Sequence, residues 1–103
     1  MSIMNDIDPI TLKSWMDAGD TLLVDIREPR EHADAHIEGA ELAPLRMLAV
    51  GQYKDHDRVV FHCASGRRTA LAAQALAACG AREIYHLTSG IQSWARAGLD
   101  LGS

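Results

Sequence analysis

The amino-acid sequence predicts an α/β fold, in which a parallel β-sheet is covered by helices on both faces. Short apolar runs that suit buried strands alternate with amphipathic or alanine-rich segments that suit helices. This alternation is typical of parallel strands joined by helical crossovers. Ligands of such folds bind beyond the carboxyl ends of the strands, so reactive side chains at those ends are the first candidates for a functional site.

The elements can be placed in chain order. Asp8 is suited to cap a helix that begins at Pro9, and this helix is predicted to end at Ala18, before Gly19. Strands are predicted over residues 21–26, 39–43, 58–63 and 83–87. Further helices are predicted over residues 29–35, 44–50, 69–79 and 91–97. The strand over 58–63 and the helix over 69–79 have the clearest patterns.

The length of 103 residues predicts one domain that spans residues 1–103. The hydrophobic fraction of 48% is typical of a soluble globular protein, and the net charge of −4 argues against nucleic-acid binding. No run approaches the roughly 20 apolar residues that span a membrane. Residues 1–8 lack the basic start and apolar core of a signal peptide. We therefore expect a cytoplasmic monomer without a membrane span.

The two cysteines are expected to differ. Cys63 ends the predicted strand over 58–63, whereas Cys79 lies at the far end of the following helix. A helix rises about 1.5 Å per residue, so this separation exceeds the reach of a disulfide and both thiols are expected to be reduced. Cys79 shares a helix face with Ala72, Ala75 and Leu76 and is interpreted as a core residue.

Cys63 is followed by a short loop and a helix start, Ala64-Ser65-Gly66-Arg67-Arg68-Thr69. Amide groups at a helix start have no intrahelical partner and favour an anion. That anion could be the Cys63 thiolate, a bound oxyanion or a sulfur atom carried on Cys63. Arg67 and Arg68 add positive charge, which favours the reactive thiolate. Gly66 frees the loop backbone, and Thr69 can cap the helix.

Four separated motifs resemble those of rhodanese-type sulfurtransferases. The segment from Cys63 to Thr69 is similar to that family's active-site loop, Cys-x-x-Gly-x-Arg followed by Ser or Thr. Residues 24–31 and 36–40 resemble its N-terminal signatures. Residues 89–98 resemble its C-terminal signature, with Ser89-Gly90 in place of the commoner Gly-Gly. The resemblance spans nearly the whole chain and implies a five-stranded parallel sheet flanked by helices.

The resemblance also implies a reaction in two steps. Cys63 attacks the outer sulfur of a donor such as thiosulfate and becomes a persulfide, and a thiophilic acceptor then removes that sulfur. The implied partners are a small sulfur donor and a cyanide or thiol acceptor, which includes thiols of thioredoxin-like or other proteins. No metal or other cofactor is implied.

Each site residue has an expected role in this reaction. Cys63 and Arg68 are the expected catalytic residues, with Arg68 either bracing the loop or meeting the sulfonate of the donor. The expected substrate-binding residues are Ala64, Ser65, Gly66, Arg67 and Thr69. Asp25 and Arg27, near the end of another predicted strand, are expected to have a structural role beside the site.

Two other functions could use the same elements. A cysteine phosphatase or arsenate reductase needs Cys-x5-Arg, a loop one residue longer, and Thr69 occupies the position of that arginine. A persulfide carrier or redox-sensing module would react as a sulfurtransferase does, but with protein partners. The residues around Cys63 do not distinguish this last function from turnover of a small donor.

The histidines are given structural interpretations. His32 and His36 have a spacing found in metal sites, but no cluster of further ligands accompanies them. His62 precedes Cys63 on a strand, so its side chain is expected to point to the opposite face of the sheet. No pairing of Cys63 with a histidine is therefore expected.

Overall fold

Within residues 4–103, which the computed structural model describes, five parallel strands form one sheet in the order β1-β5-β4-β2-β3. The strands are β1 (Asn5–Ile7), β2 (Leu22–Asp25), β3 (Glu41–Leu42), β4 (Arg58–His62) and β5 (Glu83–Leu87). The helices are α1 (Pro9–Ala18), α2 (Pro29–Asp34), α3 (Arg67–Leu71), α4 (Ala73–Ala77) and α5 (Gly90–Arg96). The predicted α/β fold is confirmed, with β4 and β5 in the interior of the sheet.

Apolar side chains fill both faces of the sheet. One buried cluster contains Val59 and Phe61 of β4 and packs against Leu76 of α4. The cluster on the other face contains Val60 of β4 and packs against Leu12 of α1 and residues of α5. Successive β4 side chains therefore enter opposite layers, as the period of a strand requires.

Helix α1 begins and ends as predicted. The Asp8 side chain accepts the amide protons of Ile10 and Thr11, both at 3.1 Å, and Gly19 closes the helix in the left-handed conformation at φ +79°. The predicted helix over 44–50 is reduced to a single turn of 3-10 helix at Leu45–Met47. Among residues 4–103, no helix is both long and apolar enough to cross a membrane.

The predicted helix over 69–79 differs from the observed one in two ways. It begins earlier, at Arg67, because Gly66 adopts φ +89° and turns the chain directly into α3. It is also interrupted at Ala72, where φ −98° and ψ 13° separate α3 from α4. Thr69 therefore lies inside α3, and the prediction that it caps the helix is wrong.

The sequence pattern does not predict strand β1. It has only three residues, and the side chains of Asn5 and Asp6 are exposed while Ile7 is buried. A short edge strand of this kind shows neither an apolar run nor an alternating pattern. β1 pairs with β5, which places Asp6 in register with His86.

Candidate active site

Cys63 follows directly after β4, at the carboxyl edge of the sheet, and its side chain is only 1% exposed. The Gly66 amide donates a hydrogen bond to Cys63 Sγ at 3.2 Å, because the left-handed Gly66 folds the loop back over the sulfur. The Thr69 hydroxyl lies 3.8 Å from the same sulfur. Ala64 is half-buried and Ser65 is exposed. The loop therefore places one amide donor and one hydroxyl group beside the sulfur.

The start of helix α5 fixes this loop through two backbone hydrogen bonds. The Ile91 amide donates to the Cys63 carbonyl at 2.9 Å, and the Gln92 amide donates to the Ala64 carbonyl at 3.2 Å. Gly90 allows this approach, since a Cβ atom placed on it would lie 2.3 Å from the Cys63 carbonyl oxygen. The otherwise unpaired amides at the start of α5 thus fix the backbone that carries the cysteine.

The two arginines of the loop have different surroundings. Arg68 forms a bidentate ion pair with Glu31 of α2, through Nη1–Oε1 at 2.9 Å and Nη2–Oε2 at 2.8 Å. The hydrogen bonds from Arg68 hold the pKa of Glu31 down to about 2, and those to Glu31 raise the pKa of Arg68. Arg67 is exposed and has no polar partner among the described residues. Of the two expected roles of Arg68, the geometry favours bracing the loop, whereas Arg67 is free to meet an anion.

Asp25 and Arg27 form a buried ion pair beside the loop. Arg27 donates to Asp25 through Nε at 2.9 Å and through Nη2 at 2.8 Å, and His32 Nδ1 lies 2.9 Å from the same carboxylate. Burial alone would raise the pKa of Asp25, but these hydrogen bonds and the nearby His62 lower it to about 2. Arg27 also donates to the Ala35 carbonyl at 2.7 Å, so the pair ties the end of α2 to β2.

His62 is buried on the face opposite Cys63. Its Nδ1 donates to the Cys63 carbonyl at 3.1 Å, and its Nε2 has no hydrogen-bond partner among the described residues. Burial lowers the pKa of His62, although the charge of Asp25 opposes this effect. His32 and His36 stack with ring centroids 4.3 Å apart. In the described part of the chain, no group of three His, Cys, Asp or Glu side chains is placed to hold a metal ion.

Two residues near the site were missed by the sequence reasoning. His86 Nδ1 lies 2.9 Å from the Thr69 hydroxyl, and His86 Nε2 lies 2.7 Å from Asp6 Oδ1. His86 lies one residue before the end of a predicted strand, so the carboxyl edge of the sheet could have suggested it. Asp6 belongs to the unpredicted β1 and gave no such signal.

Known proteins resemble this chain in sequence and in fold. A family model described as a rhodanese-like domain matches residues 8–97. A sulfurtransferase of Allochromatium vinosum is 39% identical over 105 residues, which cover 96% of this chain and 95% of that protein. The probable adenylyltransferase/sulfurtransferase MoeZ of Mycobacterium tuberculosis is 37% identical over 95 residues, covering 87% of this chain and 24% of that protein. The chain thus spans about a quarter of the length of MoeZ.

A solved structure agrees with these matches. The thiosulfate sulfurtransferase of Pseudomonas aeruginosa superposes with a TM-score of 0.85 at 25% identity, over 99% of this chain and 20% of that chain. Each of these three proteins is named as a sulfurtransferase. With a family model that covers most of its length and a loop that holds Cys63 beneath a backbone amide, the chain belongs to the rhodanese-like family.

Proposed function

We propose that the protein transfers a sulfane sulfur from a donor such as thiosulfate to cyanide or a thiol, through a persulfide on Cys63. The observation that carries this proposal is the hydrogen bond from the Gly66 amide to Cys63 Sγ at 3.2 Å. A hydrogen bond to a charged acceptor contributes about 1.5–3 kcal/mol. The loop is therefore suited to an anionic sulfur, both as the thiolate before the reaction and as the persulfide after it.

In the first step the Cys63 thiolate attacks the outer sulfur of thiosulfate. A sulfur–sulfur bond to Cys63 forms, the bond from the outer sulfur to the sulfonate breaks, and sulfite leaves with the electron pair. Arg67 is exposed, lacks a polar partner among the described residues and carries the charge that attracts a dianionic donor. The exposed Ser65 hydroxyl is available to the sulfonate oxygens.

In the second step the acceptor attacks the terminal sulfur of the persulfide, and the Cys63 thiolate leaves. The persulfide extends the side chain by one sulfur–sulfur bond of about 2 Å. This extension matters because Cys63 itself is only 1% exposed. The terminal sulfur reaches further from the backbone than the thiol does, so a nucleophile has better access to it.

Kinetics with thiosulfate and cyanide test the proposal. We expect sulfite and thiocyanate as products and parallel double-reciprocal lines, since the sulfur is held covalently between two half-reactions. Cys63→Ser should lose the activity, whereas the matched variant Cys79→Ser should keep it. The proposal would be wrong if the protein hydrolysed aryl phosphates through Cys63 and transferred no sulfur.

Protein thiols are a second candidate class of acceptor. The chain matches about a quarter of MoeZ, so a similar domain occurs in that longer protein. Sulfur-loaded protein should be offered a thioredoxin-like protein and cyanide in parallel. Faster unloading by the protein thiol at equal concentration would favour the carrier function, and faster unloading by cyanide would favour turnover of small molecules.

A further inference from the structure

The Thr69 hydroxyl lies close to three polar groups but has only one proton to donate. Thr69 is fully buried, and its Oγ1 lies 3.0 Å from the Gly66 carbonyl oxygen and 2.9 Å from His86 Nδ1. The same oxygen lies 3.8 Å from Cys63 Sγ. A hydroxyl has one proton to donate and two lone pairs that accept. The protonation of His86 Nδ1 therefore decides whether the imidazole can receive the Thr69 hydroxyl proton.

Asp6 fixes the state of His86. Asp6 Oδ1 lies 2.7 Å from His86 Nε2, and an ionised carboxylate can only accept, so Nε2 carries a proton. In the neutral imidazole Nδ1 is then an acceptor. Thr69 can donate to it instead of to the Gly66 carbonyl, because that carbonyl also accepts the Ala70 amide at 3.1 Å. The Thr69 oxygen is left free to accept the thiol proton of Cys63. The hydrogen bonds then run in one direction, from the sulfur to the hydroxyl to the imidazole.

We propose that His86, oriented by Asp6, receives the thiol proton of Cys63 through the Thr69 hydroxyl. The inference rests on the proposed role of Cys63 as the nucleophile. The S–H bond breaks as its proton binds Thr69 Oγ1, and the hydroxyl proton moves to His86 Nδ1. The products are a thiolate, an intact hydroxyl and an imidazolium, so no proton is gained or lost. The hydroxyl now donates to the thiolate.

The surroundings of His86 suit this transfer. On its face of the sheet, β1 presents Asp6, β4 presents Phe61 in register and α3 presents Thr69. Asp6 is the charged group among them and stabilises the imidazolium. The His86 side chain is 12% exposed and that of Asp6 is 76% exposed, so the pair links the buried sulfur to the surface. Both residues act on the sulfur only through Thr69 and are positioning residues.

The test is the alkylation rate of Cys63 with iodoacetamide at fixed neutral pH, in a Cys79→Ala background that leaves one thiol. Thr69→Val removes the hydroxyl with little change of shape. His86→Asn keeps a hydrogen-bonding group near the position of Nδ1, but an amide does not accept the proton. We expect each variant to lower the rate roughly tenfold or more. Asp6→Asn should lower it by less.

A double variant separates a relay from two independent effects. Combining Thr69→Val with His86→Asn should slow alkylation no further than Thr69→Val alone, since His86 acts through that hydroxyl. Thr69→Ser keeps the hydroxyl and should therefore be alkylated at the rate of the parent. Multiplied losses in the double variant, or an unchanged rate in His86→Asn, would overturn the relay. His56→Asn, an exposed histidine that precedes β4 at the opposite edge of the sheet, is the matched control.

The alkylation assay contains no sulfur donor, so the relay and the proposed function fail separately. If His86→Asn alkylates like the parent while thiosulfate still loads Cys63, the relay is wrong and the sulfur transfer stands. If the variants slow alkylation as expected but the parent takes no sulfur from thiosulfate, the proposed function is wrong. In that case the relay activates Cys63 for another reaction.

Discussion

Cys63 and Cys79 are the same side chain at the same exposure of 1%, yet their sulfur atoms meet opposite hydrogen-bonding groups. Cys63 Sγ accepts a hydrogen bond from the Gly66 amide. Cys79 Sγ donates to the Ala75 carbonyl at 3.6 Å, and burial raises the pKa of its thiol. Burial therefore does not distinguish the two thiols. We expect the thiol that faces a hydrogen-bond donor to be the reactive one.

The difference follows from where each cysteine lies in the fold. Cys63 lies between the end of β4 and the start of α3, where amides are unpaired, and Cys79 follows the end of α4, where carbonyls are unpaired. Helix α3 has only five residues, so its dipole is weaker than that of the single long helix that the sequence predicts. We therefore expect the reactivity of Cys63 to depend on the Gly66 amide and on the contacts that brace the loop. Variants can remove these bracing contacts one at a time.

The largest effect is expected from Gly90→Ala. Gly90 has φ +58°, and an added Cβ would lie 2.3 Å from the Cys63 carbonyl oxygen, so the loop must move. We expect the free energy of unfolding to fall by about 3 kcal/mol and sulfur transfer to be nearly lost. Urea denaturation and the thiosulfate assay measure the two effects.

Gly98→Ala is the matched control. Gly98 also has a positive φ of +81°, but no described atom beyond its own chain neighbours lies within 4 Å of an added Cβ. It should cost only the backbone strain of about 1–2 kcal/mol and leave the rate unchanged. Equal losses of activity in the two variants would mean that the support of the loop by α5 is not what sets the reactivity of Cys63.

The next effect is expected at Arg68. Arg68→Ala removes the bidentate contact with Glu31 that ties the loop to α2, and we expect kcat/KM to fall about tenfold to a hundredfold. Arg67→Ala should mainly raise KM for thiosulfate, and high salt should mask the change, since Arg67 is exposed. A larger loss for Arg67→Ala than for Arg68→Ala would reverse these roles.

Acid should lower the stability that the ion pairs beside the Cys63 loop contribute to the fold. Folding lowers the pKa of Asp25 and Glu31 from their ordinary values of 3.8 and 4.5 to about 2, so their ionised forms stabilise the fold. This stability is complete above those ordinary values and is lost as the pH falls towards 2. Burial also lowers the pKa of His62 below 6.5, so the loss begins as the unfolded chain protonates this residue.

Urea titrations between pH 7 and pH 2 measure this dependence. Glu31→Gln should flatten the lower part of the curve, because it removes one of the titrating carboxylates. A free energy of unfolding that stayed constant from pH 6 to pH 2 would contradict the stabilising role of these ion pairs.

The smallest effect is expected at Ser89, which has φ +62° beside the loop and is the only non-glycine residue with a positive φ in the described range. Ser89→Gly should relieve this strain and raise the free energy of unfolding by about 0.5–1 kcal/mol, with activity unchanged. Thermal unfolding checks the gain. Ser89→Ala, which keeps the strain, should show none, and destabilisation by Ser89→Gly would reveal a contribution from the hydroxyl.

The sequence predicted those parts of the fold that produce strong local patterns. Strands β2 and β4 contain apolar runs, and β5 contains Ile84, Tyr85 and Leu87. Helix α1 has both a capping aspartate and a terminating glycine. The break at Ala72 was not predictable, because it lies in an alanine-rich run without glycine or proline. β1 was missed because two of its three side chains face solvent.

The candidate site shows the same limit. The residues from Cys63 to Thr69 are consecutive, so the spacing of the cysteine, glycine and arginine in the loop could be recognised from the sequence alone. The contact between Arg68 and Glu31 and the chain from Thr69 through His86 to Asp6 join distant segments. The first contact depends on how α2 and α3 lie beside each other, and the second on how β1, β5 and β4 align. No local pattern specifies either arrangement.

The most direct test of the central claim is to find which cysteine carries sulfur. The protein should be exposed to thiosulfate, weighed intact and then cleaved, so that the peptides of Cys63 and Cys79 are weighed separately. We predict one added sulfur atom, on the Cys63 peptide, retained in Cys79→Ser and absent in Cys63→Ser. An adduct on Cys79, or no adduct on the intact wild-type protein, would contradict the account.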